Sequence, residues 1–180
     1  MHSDIESILF HETTILSRLD AMARDIMRDY RGKNLTVIAI LQGGLILLAD
    51  LLRRVQLPLK IETIGVSSYH GATESSGTVT FHSVKLPPLD GEHILVLDDI
   101  LDSGRTLDAI RRKLAGEYNA ASVKTCVLLR KRKVRAAEVD ADYVGFDIDD
   151  EFVVGYGLDY QGHYRNLPFI GTLRPQCIQP

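Results

Sequence analysis

Between residues 13 and 30 the apolar side chains Ile15, Leu19, Met22 and Ile26 recur at helical intervals among Asp, Arg and Glu, and Gly32 follows as a stop. That pattern predicts an amphipathic helix. Leu35–Leu41, LTVIAIL, is short, continuous and rich in β-branched residues, as in a strand buried on both faces. Gln42-Gly43-Gly44 breaks the run, and residues 45–54 predict a second helix. Residues 59–69 read as a second strand, 94–97 as a third, 106–115 as a helix and 122–129 as a fourth strand. Tyr143–Ile148 and residues 152–156 add two strand-like pieces with little room for a helix between them.

The alternation of helices with near-continuous apolar strands predicts an α/β domain, a mostly parallel sheet flanked by helices. The C-terminal third, with its close-set strands, is expected to form a small hood instead of continuing the winding. At 180 residues the chain has the length of one domain with a full core, and no repeat, low-complexity tract or linker divides it. The stretch HGATESSGT, residues 70–78, is small, polar and glycine-bearing, and it interrupts two strand-like runs.

Composition narrows the classes of function. Hydrophobic residues at 45% and charged residues at 25% are globular values. A net charge of -3 gives no general reason to expect a nucleic-acid partner. No apolar run approaches the roughly 20 residues that span a bilayer, and no basic stretch leads into an apolar one at the start. The expectation is a cytoplasmic protein that does not enter the membrane. Cys126 and Cys177 lack metal or redox spacing and read as structural thiols, and the six scattered histidines do not suggest zinc.

The densest chemistry lies in ILVLDDILDSGRTL, residues 94–107, where an apolar strand runs into three carboxylates and then a small hydroxyl-bearing turn. In an open parallel sheet, ligands bind beyond the carboxyl ends of the strands, which is where Asp98 and Asp99 are expected. Two adjacent carboxylates repel unless a positive or hydrogen-donating group relieves them. Ribose hydroxyls or a hydrated Mg²⁺ would serve. The turn from Asp102 to Thr106 leads into a helix, so its amides and hydroxyls can surround a phosphate. Carboxylates beside a phosphate cradle suit a sugar phosphate. The plainer alternative is an acidic turn in which Asp102 or Thr106 caps the helix.

This stretch resembles the phosphoribosyl pyrophosphate motif of the type I phosphoribosyltransferases, with Asp98-Asp99 where the purine branch commonly has Glu-Asp. Val144-Gly145-Phe146, the run EFVVGYGLDY over residues 151–160, and Tyr164-Arg165-Asn166-Leu167-Pro168 resemble the C-terminal signature of the hypoxanthine-guanine branch. With Gln42-Gly43-Gly44 and Ser68-Tyr69, the resemblance spans residues 35–173. It implies the type I phosphoribosyltransferase fold, Mg²⁺ as cofactor, and 5-phosphoribosyl 1-pyrophosphate, a 6-oxopurine base and pyrophosphate as ligands. It also implies a homodimer or homotetramer.

The roles implied for individual residues follow the same resemblance. Asp98 and Asp99 would hold the ribose hydroxyls and, with Asp159, the metal. Asp102 would be the general base for the purine proton, while Ser103, Gly104, Arg105, Thr106 and Leu107 would span the 5′-phosphate site, Arg105 with no catalytic role. Gln42 and Gly43 would form the pyrophosphate loop, with Gln42 where lysine is frequent, and Arg165 would neutralise pyrophosphate. Phe152 would stack on the base, and Val153 and the Asp159 region would offer backbone carbonyls to its edge. Lys131 would donate to the exocyclic oxygen of a 6-oxopurine; that position rests on a gap-free count back from Val144, and Arg130 and Arg132 remain alternatives. Ser68 and Tyr69 would begin a lid that closes over the reacting centre and excludes water. Two competing readings are a xanthine-preferring transferase and a non-catalytic RNA-binding regulator of the same fold; the second needs a basic face, which the acidic balance does not support.

Overall fold

The computed structural model describes residues 2–68, 79–82 and 86–178. Six strands form the main sheet: β2 (Leu35–Leu41), β3 (Leu59–Ser68), β4 (Val79–His82), β5 (His93–Leu101), β6 (Ser122–Lys131) and β7 (Tyr143–Ile148). Their order is β4-β3-β2-β5-β6-β7, all parallel except β4, which pairs antiparallel with β3. Among the described residues three α-helices cover it: α1 (Glu12–Asp29), α2 (Gly44–Leu52) and α3 (Arg105–Glu117).

The uninterrupted apolar strands are explained by two cores, one on each face. Along β2, Leu35, Val37 and Ala39 pack with Ile15, Leu19, Met22 and Ile26 of α1 and with Leu47 and Leu51 of α2. Ile38 and Ile40 point the other way, to Leu107, Ile110 and Leu114 of α3. Alternate side chains of a strand leave opposite faces, so a strand covered on both sides cannot carry a polar face. Arg18 of α1 donates to the carbonyls of Gly145 at 2.8 Å and Val144 at 2.6 Å, fastening the helix to the edge strand β7.

A second, three-stranded antiparallel sheet stands over one end of the main sheet. It comprises β1 (Ile5–Phe10), β9 (Ile170–Leu173) and β8 (Val153–Val154) in the order β1-β9-β8. The expected hood is therefore shared by both termini. The sequence pattern left β1 unassigned, because only Ile5 of its six residues is fully buried and periodicity is correspondingly weak. The strand expected over residues 152–156 contracts to Val153–Val154, since the chain turns at once through the Gly155–Leu158 bridge. Phe10 stacks on Phe146 at 4.1 Å, and the Tyr156 hydroxyl donates to Asp50 of α2 at 2.6 Å. These contacts tie the hood to β7 and α2.

Candidate active site

From β2 the winding runs through α2 to β3 on one side, and from β5 through α3 to β6 on the other. The crevice between β2 and β5 is thus the topological switch point, where parallel sheets bind ligands. A cleft of about 660 Å³ opens there, walled by the Gln42-Gly43 turn, residues 98–107, Lys131 and Lys133, and by Phe152, Asp159 and Arg165 of the hood.

Asp98 and Asp99 lie within β5, not beyond its end as the apolar pattern suggested. The strand loses its partner β2 after Leu97, which pairs with Ala39, yet stays paired with β6 through Leu101. One-sided pairing carries the acids forward while leaving them facing the cleft. Both are desolvated. Burial, and next the Asp99 charge, pushes the Asp98 carboxyl well above the usual carboxylate range. Burial raises Asp99 too, opposed by hydrogen bonds from its surroundings and by the Arg165 charge. Asp99 Oδ1 accepts the Ile100 N–H at 2.8 Å.

The Gln42-Gly43 turn follows a cis Leu41–Gln42 peptide and meets these acids directly. A β-carbon on Gly43 would overlap the Asp99 carboxylate, so only glycine lets the loop lie against it. Gly157 of the hood packs in turn on the Gly43 carbonyl. Arg165 donates to the Gly157 carbonyl at 2.6 Å and pairs with Asp159 at 2.7 Å, and Asp159 also accepts the Gly162 N–H at 2.7 Å. Asp159 is thereby committed to Arg165, whose charge is near enough to Asp99 to oppose the rise of its pKa.

On the other side of Asp98 and Asp99, Gly104 adopts φ +80°, and α3 begins at Arg105. The left-handed turn is open to glycine at little cost and swings the first amides of α3 toward the cleft. Residues 103–107 all line it. The Ser103 carbonyl accepts the amides of Ala136 at 3.1 Å and Ala137 at 3.3 Å, which braces the turn from behind. Amides at a helix start, backed by its dipole, make an anion cradle.

At the far end stands a ring of charge. Lys131, the last residue of β6, is buried, with its ammonium 2.9 Å from Asp150 and 3.4 Å from Asp102. Its neighbours turn away from the cleft: Arg130 binds Asp147 and Asp140, and Arg132 lies near Asp149. The count that left three basic candidates thus meets one lysine in the cleft. Lys133, not among the residues expected at the site, pairs with both Asp102 and Asp150. The missed signal was the period of two: residues 131 and 133 share a side of an extended chain, opposite 130 and 132. Phe152, half exposed, stands edge-on to Tyr160 at 5.6 Å and presents its ring to the cleft. Val153 adjoins it in β8.

The basic run from Arg130 to Arg135 offers little unpaired positive charge, for Arg135 too has Asp140 as partner. Positive charge so paired gives an RNA-binding reading no support from this run.

The donor set fits Mg²⁺. Asp98 and Asp99 supply hard oxygen ligands, and their burial gives a cation or hydroxyl donors something to relieve. Among the described residues no cluster of three or more metal-ligating side chains occurs, so such an ion would take the rest of its oxygens from water and substrate phosphates. Ser68 ends β3, opposite Val79 of β4. Tyr69 and the loop at 70–78 lie outside the described residues, so the proposed lid does as well. Among the described residues no helix is long and apolar enough to cross a membrane.

Known proteins share this chain's sequence and fold. The phosphoribosyl transferase domain family model matches residues 7–161. Over 176 residues the chain is 40% identical to a hypoxanthine-guanine phosphoribosyltransferase of Staphylococcus aureus, and the match covers 98% of each chain. It is 42% identical over 176 residues to the bifunctional protein TilS/HprT of Listeria monocytogenes, of whose length it spans 27%. A crystal structure of a hypoxanthine phosphoribosyltransferase from Staphylococcus aureus superposes with a TM-score of 0.93 at 39% identity, covering 100% of this chain and 97% of that one.

Proposed function

Because the chain belongs to the hypoxanthine-guanine phosphoribosyltransferase family, we propose that it joins hypoxanthine, and also guanine, to 5-phosphoribosyl 1-pyrophosphate, forming IMP or GMP and releasing pyrophosphate. One observation carries the reading: a single cleft has an anion cradle, a buried acid pair and a cationic end beside an aromatic ring.

The chemistry follows the walls. Asp98 and Asp99 accept hydrogen bonds from the ribose hydroxyls, which relieves their mutual repulsion. The amides and hydroxyls of residues 103–107 hold the 5′-phosphate. The Gln42-Gly43 amides and Arg165 face the pyrophosphate, and Arg165 lends charge as the bond from the anomeric carbon to the pyrophosphate oxygen breaks. Phe152 stacks on the incoming base, and Lys131 donates to its 6-oxo group. As the ring nitrogen bonds to the anomeric carbon, its proton passes to Asp102. Asp98 and Asp99, with Asp159 at the cleft's edge, would hold Mg²⁺, which would supply positive charge to neutralise the leaving pyrophosphate. A 6-amino group would set donor against donor at Lys131, and leaving buried polar groups unpaired costs about 1–3 kcal/mol each.

The same reading includes a cytoplasmic homodimer or homotetramer. Free Cys126 and Cys177 accord with a reducing compartment. Leu45 and Ile61, each about half exposed, offer apolar surface to a second copy. Light scattering reads the mass. Incubation with phosphoribosyl pyrophosphate, Mg²⁺ and, separately, hypoxanthine, guanine, xanthine, adenine and uracil tests the reaction. Turnover restricted to hypoxanthine and guanine is expected; preference for xanthine would shift the substrate, and no turnover with any base would overturn the reading.

A further inference from the structure

The chemistry above leaves two members of the charge ring unused. Lys133 lines the cleft beside Lys131, and its ammonium pairs with Asp102 while bonding Asp150 Oδ1 at 3.1 Å and Oδ2 at 3.3 Å. Lys131 meets the same two acids, Asp150 at 2.9 Å and Asp102 at 3.4 Å. Two lysines and two aspartates close a ring whose formal charges cancel. Asp102 and Asp150 further hold the Lys133 ammonium in its charged form, raising its pKa mainly through the Asp102 hydrogen bond.

Asp102 and Asp150 both compete with a 6-oxo group for the Lys131 ammonium, which donates to Asp150 and stands 3.4 Å from Asp102. Both acids are about half exposed yet lie within reach of Lys131, so with no other cation at hand they would hold its ammonium between them. Lys133 already touches both acids, so neither is left bare when Lys131 turns. From this geometry we infer that Lys133 is a positioning residue: a standing counter-ion for Asp102 and Asp150 that frees Lys131 for the base.

This inference rests on the transferase reading, and its test separates the two. Steady-state rates are measured for the wild type, Lys133→Met, Lys133→Gln and the double variant Lys133→Met/Asp150→Asn, varying hypoxanthine and phosphoribosyl pyrophosphate in turn. Each single variant should raise the KM for hypoxanthine about tenfold, equivalent to ~1.4 kcal/mol, while the KM for phosphoribosyl pyrophosphate moves less than about twofold. In the double variant, removal of the second acid unlocks Lys131, so the KM for hypoxanthine should recover most of the loss. A structural role would not give that recovery. An unchanged hypoxanthine KM, equal loss on both substrates, or no recovery in the double variant overturns the inference; a wild type inactive with every base overturns the transferase reading instead. The glutamine variant keeps the side chain polar, so it reports on the lost charge if the methionine variant melts early.

Discussion

Replacing Gly43 with alanine tests the contact between the pyrophosphate turn and the acid pair without disturbing the backbone. Gly43 has φ -58° and ψ -42°, which alanine adopts freely. On conformational grounds alone the change should stabilise the fold by about 0.4–1 kcal/mol. The added β-carbon, however, would overlap Asp99 Oδ2 outright and stand 3.0 Å from Oδ1. The Asp99 carboxylate must retreat by roughly 1 Å or more, and displacement on that scale costs about 10²-fold in rate at a reacting centre. The loop cannot yield easily instead, because Gly157 packs on the Gly43 carbonyl from the hood side. Initial rates at saturating hypoxanthine should show kcat/KM for phosphoribosyl pyrophosphate lower by about 10²-fold, with the melting temperature within ~3 °C of wild type. Once Asp99 is shortened the clash disappears. The pair Gly43→Ala/Asp99→Ala should therefore be no worse than Asp99→Ala by more than about twofold. Wild-type efficiency in Gly43→Ala, or fully additive losses in the pair, would refute the steric argument.

Other parts of the cleft give separate outcomes. Asp98→Asn should raise the melting temperature of the ligand-free protein by roughly 2–6 °C, or ~1–2 kcal/mol, while weakening phosphoribosyl pyrophosphate binding, a trade of function against stability. The sign follows from its raised folded pKa: Asp98 costs nothing below the ordinary carboxylate range, and the penalty grows as pH rises through the raised value. The melting difference between variant and wild type should accordingly vanish in acid and widen toward neutral pH; a constant difference would contradict this. Asp102→Asn should lower kcat by about 10²- to 10⁴-fold with the fold intact by circular dichroism, and an undiminished rate would remove Asp102 as the base. Arg18→Ala removes two hydrogen bonds from a charged donor to the β7 carbonyls and should cost about 2–4 kcal/mol in urea unfolding, with little change in the KM for either substrate.

Much of the frame was determined by local sequence. LTVIAIL has no polar residue at the spacing needed for a solvated face, so a strand covered on both sides was its stable use, and the split of its side chains between two cores is the consequence. The acid pair, the Ser103-Gly104 turn and the glycines after Gln42 were legible because close approach and anion binding demand particular residue types at fixed offsets. What tertiary structure decided depends on partners far away in the chain. The acids lie inside β5 because β6 continues beside it after β2 has stopped. Strand β1 exists because β9, more than 150 residues later, supplies its hydrogen bonds; its own pattern is too exposed to announce it. The period of two set Lys133 beside Lys131, but its partnership with Asp102 and Asp150 was invisible for a related reason. Lys133 and Asp150 take their meaning from sharing Asp102 and Lys131, and charge pairing across a cleft leaves no period in the sequence, whereas burial against a continuous face does.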